Sequence, residues 1–359
     1  MAIEFSERIR RLPSYPAAGG YADAAPPVRL ASNESPWPPL PAVREAIDRA
    51  LASLNRYPDP TSFALRIRLS ERYGVPPARI AIGNGSCDIL LAAGEALLEP
   101  GAELVYAWPS FSVYPHLSAA SGAREVRVAL DEDERHDLPA MLREITVATR
   151  LAIVCNPNNP TSTAVPLADI ARFLEEVPPH VCVIVDEAYC EFNLLEDPDA
   201  SVALLSEHPN LVLLRTFSKV HGLCGLRVGF ALCGSEAFVR AVDQVRQPFF
   251  CNAVAQAAAS EALAHQDAVV DRVTRTIAER ISVEERLRAL GLQPADSQAN
   301  FCWFALGEDR DEQHVMAGLL ERGVLVRGGG ALGRPGALRV TYGTAEENVR
   351  FLDALAEVL

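Results

Sequence analysis

Short apolar runs alternate with stretches of helical spacing over the first two-thirds of the chain. The apolar runs are rich in β-branched residues and predict strands, while apolar positions in 86–98, 111–121, 137–146 and 166–176 repeat with the period of a helix. Such alternation is typical of an α/β fold in which crossover helices flank a mostly parallel central sheet. The predicted strands cover 78–83, 103–108, 125–130, 150–156, 180–187 and 210–216.

The pattern changes after Gln244, where a long alanine-rich stretch at about 252–289 predicts a helix. Thr344 is followed three residues later by Glu347, which matches a capping box and predicts that a closing helix begins at 345. These elements predict a second, smaller α+β domain. Its strands are expected near 300–306, 324–327 and 337–342.

A chain of 359 residues is too long for one small core, so two domains are expected. We expect the N-terminal arm to join the smaller domain, which leaves the predicted sheet in the larger one. The expected boundaries are 1–40 for the arm, 41–250 for the large ligand-binding domain, 251–289 for a connecting helix and 290–359 for the C-terminal domain.

Composition narrows the classes of function. The net charge of −14 is spread along the chain with no basic stripe, which argues against nucleic-acid binding and favours small-molecule substrates.

The N-terminus lacks the apolar core of a signal peptide, and no apolar run is long enough for a membrane span, so we expect a cytoplasmic protein. The eight cysteines lack metal-ligand spacing, and we expect them to be reduced and mostly buried.

Candidate chemistry lies in loops that follow the predicted strands, where open α/β sheets bind ligands. The loop "GNGSCDILL" places Ser86 and Cys87 at a helix start, which suits a phosphate; a capped helix after a glycine turn is the alternative. In "WPSFSVYP", Phe111 could stack on a planar ring or belong to the core. In "CNPNNPTST", Asn159 could bind a phenolate-like oxygen, or the segment could be an Asn-Pro turn.

Two further loops carry charged residues. Asp186 ends the apolar strand in "VCVIVDEAY", where burial would raise its pKa unless a cation such as a protonated pyridine met it, and Tyr189 could reach the same ring. "RTFSKVHGLCGLRVGF" holds Lys219 and Arg227 between apolar runs, which suggests two buried cations. A desolvated lysine is the usual Schiff-base nucleophile, although two solvated cations at a strand end are the alternative. Taken together, the five loops contain the parts needed to hold pyridoxal 5′-phosphate.

The chain resembles the fold-type I, class II-like aminotransferases, most closely the histidinol-phosphate aminotransferase family with its aromatic aminotransferase relatives. The resemblance implies a large domain with a mostly parallel sheet, a smaller α+β domain and pyridoxal 5′-phosphate as cofactor. The motifs that carry it run along almost the whole chain: "LASNESPW", "RYPDP", "GNGSCDIL", "NPNNPT", "DEAY", "TFSK" with "GLR", "SQANF", "GVLVR" and "RVTYGT".

The resemblance also assigns roles by position. Lys219 would be the Schiff-base lysine, Asp186 the partner of the pyridine nitrogen, and Asn159 with Tyr189 would bind the ring oxygen, while Phe111 stacks on the ring. The cofactor phosphate would be held by Ser86, Cys87, Thr216, Ser218 and Arg227, with Tyr57 reaching across from the other subunit of a homodimer. Tyr15, Arg327 and Arg339, with Asn159, would bind the substrate.

The sequence departs from the family pattern at three places. Ser162 stands where the family loop usually has glycine, a variant associated more with the aromatic branch, and Cys87 stands where an acidic residue or alanine is commoner. After Arg327 the usual proline is replaced by glycines 328–330, which predicts a looser loop.

The first hypothesis for function is transfer of the amino group of L-histidinol phosphate to 2-oxoglutarate, because Arg327 and Arg339 could both bind a phosphate. The nearest alternative is an aromatic amino-acid aminotransferase acting on phenylalanine, favoured by Ser162. A decarboxylase of the threonine-phosphate type and a non-catalytic ligand-sensing domain are further alternatives; an intact Lys219 and Asp186 argue against the last.

Overall fold

The computed structural model describes residues 3–5, 10 and 28–359. Strands predicted from apolar runs form where expected, within one to two residues at most ends. The strands are β1 (Val28–Arg29), β2 (Ile80–Gly83), β3 (Glu103–Trp108), β4 (Arg124–Ala129), β5 (Thr149–Cys155), β6 (Cys182–Asp186), β7 (Leu211–Thr216), β8 (Gly229–Cys233), β9 (Phe301–Ala305), β10 (Val324–Leu325), β11 (Arg327–Gly328) and β12 (Ala337–Thr341). Within residues 28–359 the α-helices are Pro41–Leu51, Phe63–Tyr73, Ser86–Leu97, Tyr114–Ser121, Leu138–Arg143, Leu167–Glu176, Glu236–Val245, Ala253–Ala262, Gln266–Ala289, Glu312–Glu321 and Ala345–Val358.

Seven strands form one central sheet in the order β2-β8-β7-β6-β5-β3-β4. Every pairing from β7 to β4 is parallel, and only β8 runs antiparallel to its two neighbours. β2 therefore runs in the same direction as β7, so its carboxyl end reaches the same sheet edge. The expected α/β fold with a mostly parallel sheet is confirmed.

Both faces of this sheet are buried, as its apolar strands require. Along β6, Val183 and Val185 belong to an apolar cluster on one face, whereas Ile184 belongs to the cluster on the other face. This alternation follows from the two-residue period of a strand. Helices cover both faces and leave the carboxyl ends of the strands open.

The C-terminal part contains a three-stranded antiparallel sheet in the order β11-β12-β9. β1 pairs in parallel with β10, and Leu30 beyond it packs in one apolar cluster with Phe304, Val340 and Leu355. In the closing helix, Thr344 and Glu347 form the predicted capping box. The segment after β1 is thereby anchored to the C-terminal sheet.

Two predicted elements are corrected by the structure. The stretch at 252–289 is two helices, because His265 leaves helical backbone angles (φ −113°, ψ 59°) and Asp267 in the next turn favours a new helix start. The run at 324–327 is two short strands in different sheets, since β10 pairs with β1 and β11 with β12. Among the helices of the described residues, none is long and apolar enough to cross a membrane.

Candidate active site

A cavity of about 470 Å³ opens where the carboxyl ends of the parallel strands meet the C-terminal sheet. Cys155, the last residue of β5, is paired in register with Asp186, the last residue of β6, so the loops that follow begin side by side. Most predicted site residues line this cavity. They are Ser86, Cys87, Phe111, Asn159, Asp186, Tyr189, Thr216, Ser218, Lys219, Arg227, Arg327 and Arg339.

Two predicted residues are not part of this group. Tyr57 does not line the cavity: its side chain is 80% exposed and stacks on Phe249, with the ring centres 4.3 Å apart. Tyr15 lies outside the described residues. The fold therefore brings the predicted residues at the strand ends together around one cavity, and Tyr57 of the same chain lies outside it.

Asp186 is buried at the base of the cavity. Its Oδ2 accepts a 2.8 Å hydrogen bond from Tyr114 Oη, and its Oδ1 accepts a longer one, 3.3 Å, from the backbone N–H of Ala188. Burial raises the pKa of the carboxyl group to about 6, although both hydrogen bonds act in the opposite direction. A carboxylate in this setting would be stabilised by a cationic group bound in the cavity.

Lys219 is partly buried in the same cavity. Its Nζ donates a 3.2 Å hydrogen bond to the carbonyl of Ser32 and lies 5.4 Å from the centre of the Tyr189 ring. Burial, with the positive charge of Arg339 as the next cause, lowers the pKa of this lysine to about 8. A larger neutral fraction at physiological pH makes the amine a better nucleophile and base.

Hydroxyl groups and an arginine gather at the start of the helix Ser86–Leu97. Thr216 Oγ1 donates to Ser218 Oγ over 2.9 Å, and Arg227 Nη1 lies 3.5 Å from the same Ser218 oxygen. A side chain on Gly85 would collide with the guanidinium of Arg227, so this group lies directly against the helix start. Backbone N–H groups, hydroxyls and a guanidinium in this arrangement can bind a phosphate.

Arg227 differs from the sequence-based expectation in one respect. Its side chain is exposed and its backbone is left-handed (φ 57°), whereas the flanking apolar runs suggested a buried cation. Val228, immediately after it, is fully buried. The turn therefore directs the arginine out of the core and towards the cavity mouth, where Nη1 also donates to the carbonyl of Cys224.

Asn159 and Arg339 connect the large sheet to the C-terminal sheet. Arg339 Nη1 donates a 2.6 Å hydrogen bond to Asn159 Oδ1, and Nη2 donates to the carbonyl of Ala31. Arg327 is paired with Arg339 in the β11–β12 register, and both arginines are 7% exposed. Two guanidinium groups therefore face the cavity from adjacent strands, where they could bind an anionic substrate group.

Phe111 lies on the cavity wall with its ring edge-on to Tyr114, at a centre-to-centre distance of 5.7 Å and an interplanar angle of 90°. The Tyr114 hydroxyl binds Asp186, so the orientation of Phe111 is linked to that carboxylate. Because Phe111 also lines the cavity, its predicted stacking on a planar ring is compatible with this position.

A model of the aminotransferase class I and II family matches residues 25–355. The chain belongs to this aminotransferase family. The predicted membership is thereby confirmed, and the match spans all strands of both the large and the C-terminal sheets.

Named relatives of this aminotransferase fall into two groups. The chain is 44% identical over 351 residues to the aromatic amino acid aminotransferase of Streptomyces coelicolor, covering 97% of this chain and 96% of that one. It is 40% identical over 363 residues to the histidinol-phosphate aminotransferase of Geobacillus thermodenitrificans, covering 99% and 98%.

Solved structures agree with this family fold. Histidinol-phosphate aminotransferase from Sinorhizobium meliloti, crystallised in complex with pyridoxal-5′-phosphate, superimposes with a TM-score of 0.89 at 28% identity, covering 100% of this chain and 98% of that one. Aspartate aminotransferase from Thermus thermophilus with maleate gives a TM-score of 0.85 at 26% identity, with complete coverage of both chains.

Sequence reasoning missed Asn33, which is central to the site of this aminotransferase. Asn33 is buried with a left-handed backbone (φ 54°), and its Nδ2 donates a 3.0 Å hydrogen bond to Tyr189 Oη. Its N–H binds Thr341 Oγ1, and its carbonyl accepts from Asn300. The motif "LASNESPW" was the available signal, because it carried the family resemblance although no residue within it had been assigned a role.

The sequence analysis also assigned no role to Arg215. It is 2% exposed, and its guanidinium binds Glu187 Oε2 at 2.8 Å, Asp199 Oδ1 at 2.7 Å and the Pro198 carbonyl at 2.6 Å. A buried cation with this many anionic and carbonyl partners is well compensated. Arg215 therefore anchors the strand that delivers Thr216 and Lys219 to the cavity.

The departures from the family pattern have structural explanations. Ser162 is fully buried with a left-handed backbone (φ 62°), the conformation that glycine adopts most readily. A side chain on Gly329 would collide with the backbone carbonyl of Arg334, and one on Gly328 would displace the side-chain ends of Glu312 and Met316. The glycines after Arg327 therefore allow this segment to pack closely against its neighbours. Close packing accounts for the glycines without the looser loop that the sequence suggested.

Cys87 is the third departure. Burial raises the pKa of its thiol, and the negative charge of Asp186 acts in the same direction. The side chain is therefore a neutral thiol beside the predicted phosphate site. All eight cysteines are unpaired, and five of them are buried. In the described part of the chain, no cluster of histidine, cysteine or acidic side chains suits a metal ion.

Proposed function

We propose that this protein is a pyridoxal 5′-phosphate-dependent aminotransferase whose amino donor is an aromatic L-amino acid and whose amino acceptor is 2-oxoglutarate or a similar 2-oxoacid. The observation that carries the proposal is the joint presence, in one cavity, of Lys219 with a lowered pKa, buried Asp186 and the Asn159–Arg339 pair. These groups supply a base, a partner for a cationic ring and an anchor for a substrate carboxylate.

The described residues fit this cofactor. Asp186 would hold the protonated pyridine nitrogen, whose charge would offset the burial that raises the pKa of the carboxyl group. Thr216, Ser218, Arg227 and the start of the helix at Ser86 would hold the phosphate. Asn159 uses its oxygen for Arg339, which leaves its Nδ2 donors for the ring oxygen. Bound there, the cofactor supplies an electron sink for the substrate α-carbon.

Lys219 would bind the cofactor first and then act on the substrate. With the amino donor bound in its place, the free amine of Lys219 would act as the general base that removes the α-proton of the substrate and returns it to the carbon two bonds away, on the other side of the amino nitrogen. A pKa of about 8 suits both directions of this transfer near neutral pH. The second half-reaction, with the 2-oxoacid, uses the same groups in reverse, so one cavity must accept both substrates.

The identity of the amino donor rests on Arg339 and on the relatives. The guanidinium of Arg339 is close enough to Lys219 to depress its pKa, which suits a carboxylate on the carbon that bears the amino group. The relative from Streptomyces coelicolor is named for aromatic amino acids, and its identity of 44% exceeds the 40% of the Geobacillus relative named for histidinol phosphate. We therefore place phenylalanine ahead of histidinol phosphate, the reverse of the order suggested by the sequence motifs.

Histidinol phosphate is the second candidate, and one observation favours it. Arg327 is the register partner of Arg339 and is equally buried on the cavity wall. A phosphate can accept hydrogen bonds from two guanidinium groups at once, whereas one arginine suffices for a carboxylate. The paired arginines would then bind the phosphate of this donor.

The test is a comparison of kcat/KM for phenylalanine and for histidinol phosphate, each with 2-oxoglutarate, in the same preparation. A higher value for phenylalanine supports the proposal, and a value at least tenfold higher for histidinol phosphate, about 1.4 kcal/mol in transition-state binding, reverses the order. Carbon dioxide release, or an absence of amino transfer from either donor, would contradict it.

We further propose a homodimer in which Tyr57 reaches the cofactor phosphate of the partner subunit. Its ring is 80% exposed and rests on Phe249, so its hydroxyl is free to extend beyond its own chain. Leu51, Leu54 and Phe63 are exposed near it in sequence, which suits a buried interface. The test mixes inactive Lys219→Ala subunits with Tyr57→Ala subunits: hybrid dimers with one complete site should regain activity, and a mixture no more active than its parts would contradict the arrangement.

A further inference from the structure

Asn158, the neighbour of Asn159, lies behind the cavity wall and does not line the cavity. Its side chain is 1% exposed, yet every hydrogen-bonding position of its amide is used. Oδ1 accepts from Ser110 Oγ at 2.7 Å and contacts His136 Nε2 at 3.1 Å. Nδ2 donates to the Pro109 carbonyl at 3.1 Å and to Thr161 Oγ1 at 2.8 Å. An amide has two acceptor and two donor positions, so this one is saturated.

The four partners come from three separate segments. Pro109 and Ser110 immediately precede Phe111, and Thr161 belongs to the same loop as Asn159. His136 lies beyond β4, and burial lowers the pKa of its imidazole to about 4. The imidazole is therefore neutral near pH 7, and its Nε2 must carry the proton in order to donate to Asn158 Oδ1. Because the Pro109 carbonyl can only accept, the Asn158 amide is oriented with Nδ2 towards Pro109 and Oδ1 towards Ser110 and His136.

We propose that Asn158 is a positioning residue that fixes Phe111 and Asn159 relative to each other and so sets the orientation of the planar ring held between them. The inference rests on the proposed function in that this ring belongs to pyridoxal 5′-phosphate. Asn158 acts only through its neighbours: the Pro109–Ser110 contacts hold the stacking face, and the Thr161 contact holds the loop that carries the ring-oxygen donor.

Substitutions can separate this role from simple stability. Asn158→Asp keeps the shape of the side chain but turns the Nδ2 donor into an acceptor that faces the Pro109 carbonyl and Thr161. Ser110→Ala removes a single hydrogen bond and is the milder variant. The control for loss of a buried amide is Asn348→Ala, because Asn348 is 3% exposed, comparable to Asn158, and forms multiple hydrogen bonds, with Gly343 and Glu279, away from the cavity.

Four measurements compare these variants: Tm, the dissociation constant of pyridoxal 5′-phosphate, the pH midpoint of the visible absorbance of the lysine-bound cofactor, and kcat/KM. We expect Asn158→Asp to weaken cofactor binding at least about tenfold, as for one lost hydrogen bond, and to lower kcat/KM about a hundredfold through misplacement of the ring. The midpoint should rise, because the phenolate-like oxygen loses a well-placed donor. Ser110→Ala should shift the same properties in the same direction by less, and Asn348→Ala should lower Tm alone.

Hydrogen exchange on the cofactor-free protein distinguishes this inference from the proposed function. Asn158→Asp and Ser110→Ala should speed exchange in both 110–112 and 156–163, whether or not pyridoxal 5′-phosphate is the cofactor. If wild-type protein does not bind pyridoxal 5′-phosphate, the proposed function fails while the exchange result still decides whether Asn158 couples the loops. The inference is overturned if the Asn158 and Ser110 variants lower Tm but leave cofactor affinity and the midpoint unchanged, with exchange altered in one of the two loops only or in neither.

Discussion

Arg339 Nη1 donates a 2.6 Å hydrogen bond to Asn159 Oδ1, although 180 positions separate the two residues in the chain. The bond joins the C-terminal sheet to a loop of the large sheet directly above the cavity. We expect Arg339→Gln to lower kcat/KM for both the amino donor and 2-oxoglutarate by about a hundredfold, because each loses a charge-assisted anchor. Half-reaction kinetics with each substrate measure this.

Arg327→Gln is the matched comparison, since Arg327 faces the cavity from the adjacent strand. It should affect histidinol phosphate far more than phenylalanine, because the second guanidinium matters mainly for a phosphate. Unchanged KM values for both substrates in Arg339→Gln would show that the substrate anion binds elsewhere.

Lys219 should give the reaction with an aldehyde a distinctive pH dependence. Only the neutral amine attacks, and the pKa of this lysine is lowered to about 8, so the rate should rise about tenfold per pH unit below pH 8 and level off above it. The measurement follows the appearance of visible absorbance when pyridoxal 5′-phosphate is added to cofactor-free protein between pH 6 and 10.

Arg339→Gln tests the cause of this shift. The charge of Arg339 is the second contribution after burial, so removing it should move the plateau to higher pH. A wild-type rate that still climbs tenfold per unit between pH 9 and 10 would mean that the pKa of Lys219 is close to the ordinary value of about 10.4.

The sequence predicted that Asp186 and Lys219 lie at the cavity edge of the sheet, because Asp186 ends one apolar strand and Lys219 lies three residues beyond the end of another. Parallel strands place their carboxyl ends at one edge, so residues that are far apart in the chain become neighbours once strand direction is known. Local periodicity was therefore sufficient for the sheet and for the side of the sheet that carries the cavity. The same reasoning placed Asn159 and Thr216 at this edge, where both line the cavity.

Contacts that depend on tertiary packing could not be predicted in this way. The Asn33–Tyr189 hydrogen bond joins residues 156 positions apart through a left-handed backbone that periodicity does not reveal. The exposure of Arg227 depends on its own left-handed backbone, because the turn at this residue directs its side chain away from the core. The placement of Tyr57 outside the cavity of its own chain depends on how the segment before Phe63 folds against Phe249.

Asp186 should oppose folding when no ligand is bound. Its pKa is raised to about 6 from about 3.9 in an unfolded chain, so the penalty is absent below about pH 4, grows between pH 4 and 6 and is complete above pH 6. Asp186→Asn should therefore raise the free energy of unfolding of the cofactor-free protein at pH 8 by up to about 3 kcal/mol, with a smaller gain at pH 5.

Urea unfolding at the two pH values measures this difference, and cofactor titration provides the second readout. The same variant should bind pyridoxal 5′-phosphate more weakly, because the pyridine nitrogen loses its anionic partner. A variant less stable than wild type at pH 8 would show that the hydrogen bonds from Tyr114 and Ala188 outweigh the cost of burying the charge.

Ser162 should tolerate glycine better than any larger residue. Its left-handed backbone (φ 62°) costs a non-glycine residue about 1 kcal/mol, while its Oγ donates a hydrogen bond to the Thr161 carbonyl. These effects nearly cancel in Ser162→Gly, so its free energy of unfolding should stay within about 1 kcal/mol of wild type. Ser162→Val should lose about 2 kcal/mol or more, because a β-branched residue fits neither the backbone nor the buried position. Equal stability of the two variants, measured by urea unfolding, would contradict this explanation of the departure.

Glu312 should hold the glycine segment that follows Arg327. Its buried carboxylate accepts from Gly330 N at 3.1 Å and from Gly336 N at 2.7 Å, so Glu312→Ala leaves two backbone donors unpaired. We expect a loss of about 2–4 kcal/mol in unfolding free energy and a higher KM for histidinol phosphate, whereas Glu312→Gln, which keeps one acceptor oxygen, should lose less. Glu321→Ala, at the exposed end of the same helix, is the control and should change neither quantity. If Glu312→Ala lost stability but left that KM unchanged, the segment would not position Arg327; if it lost no stability, the two backbone donors must find other partners.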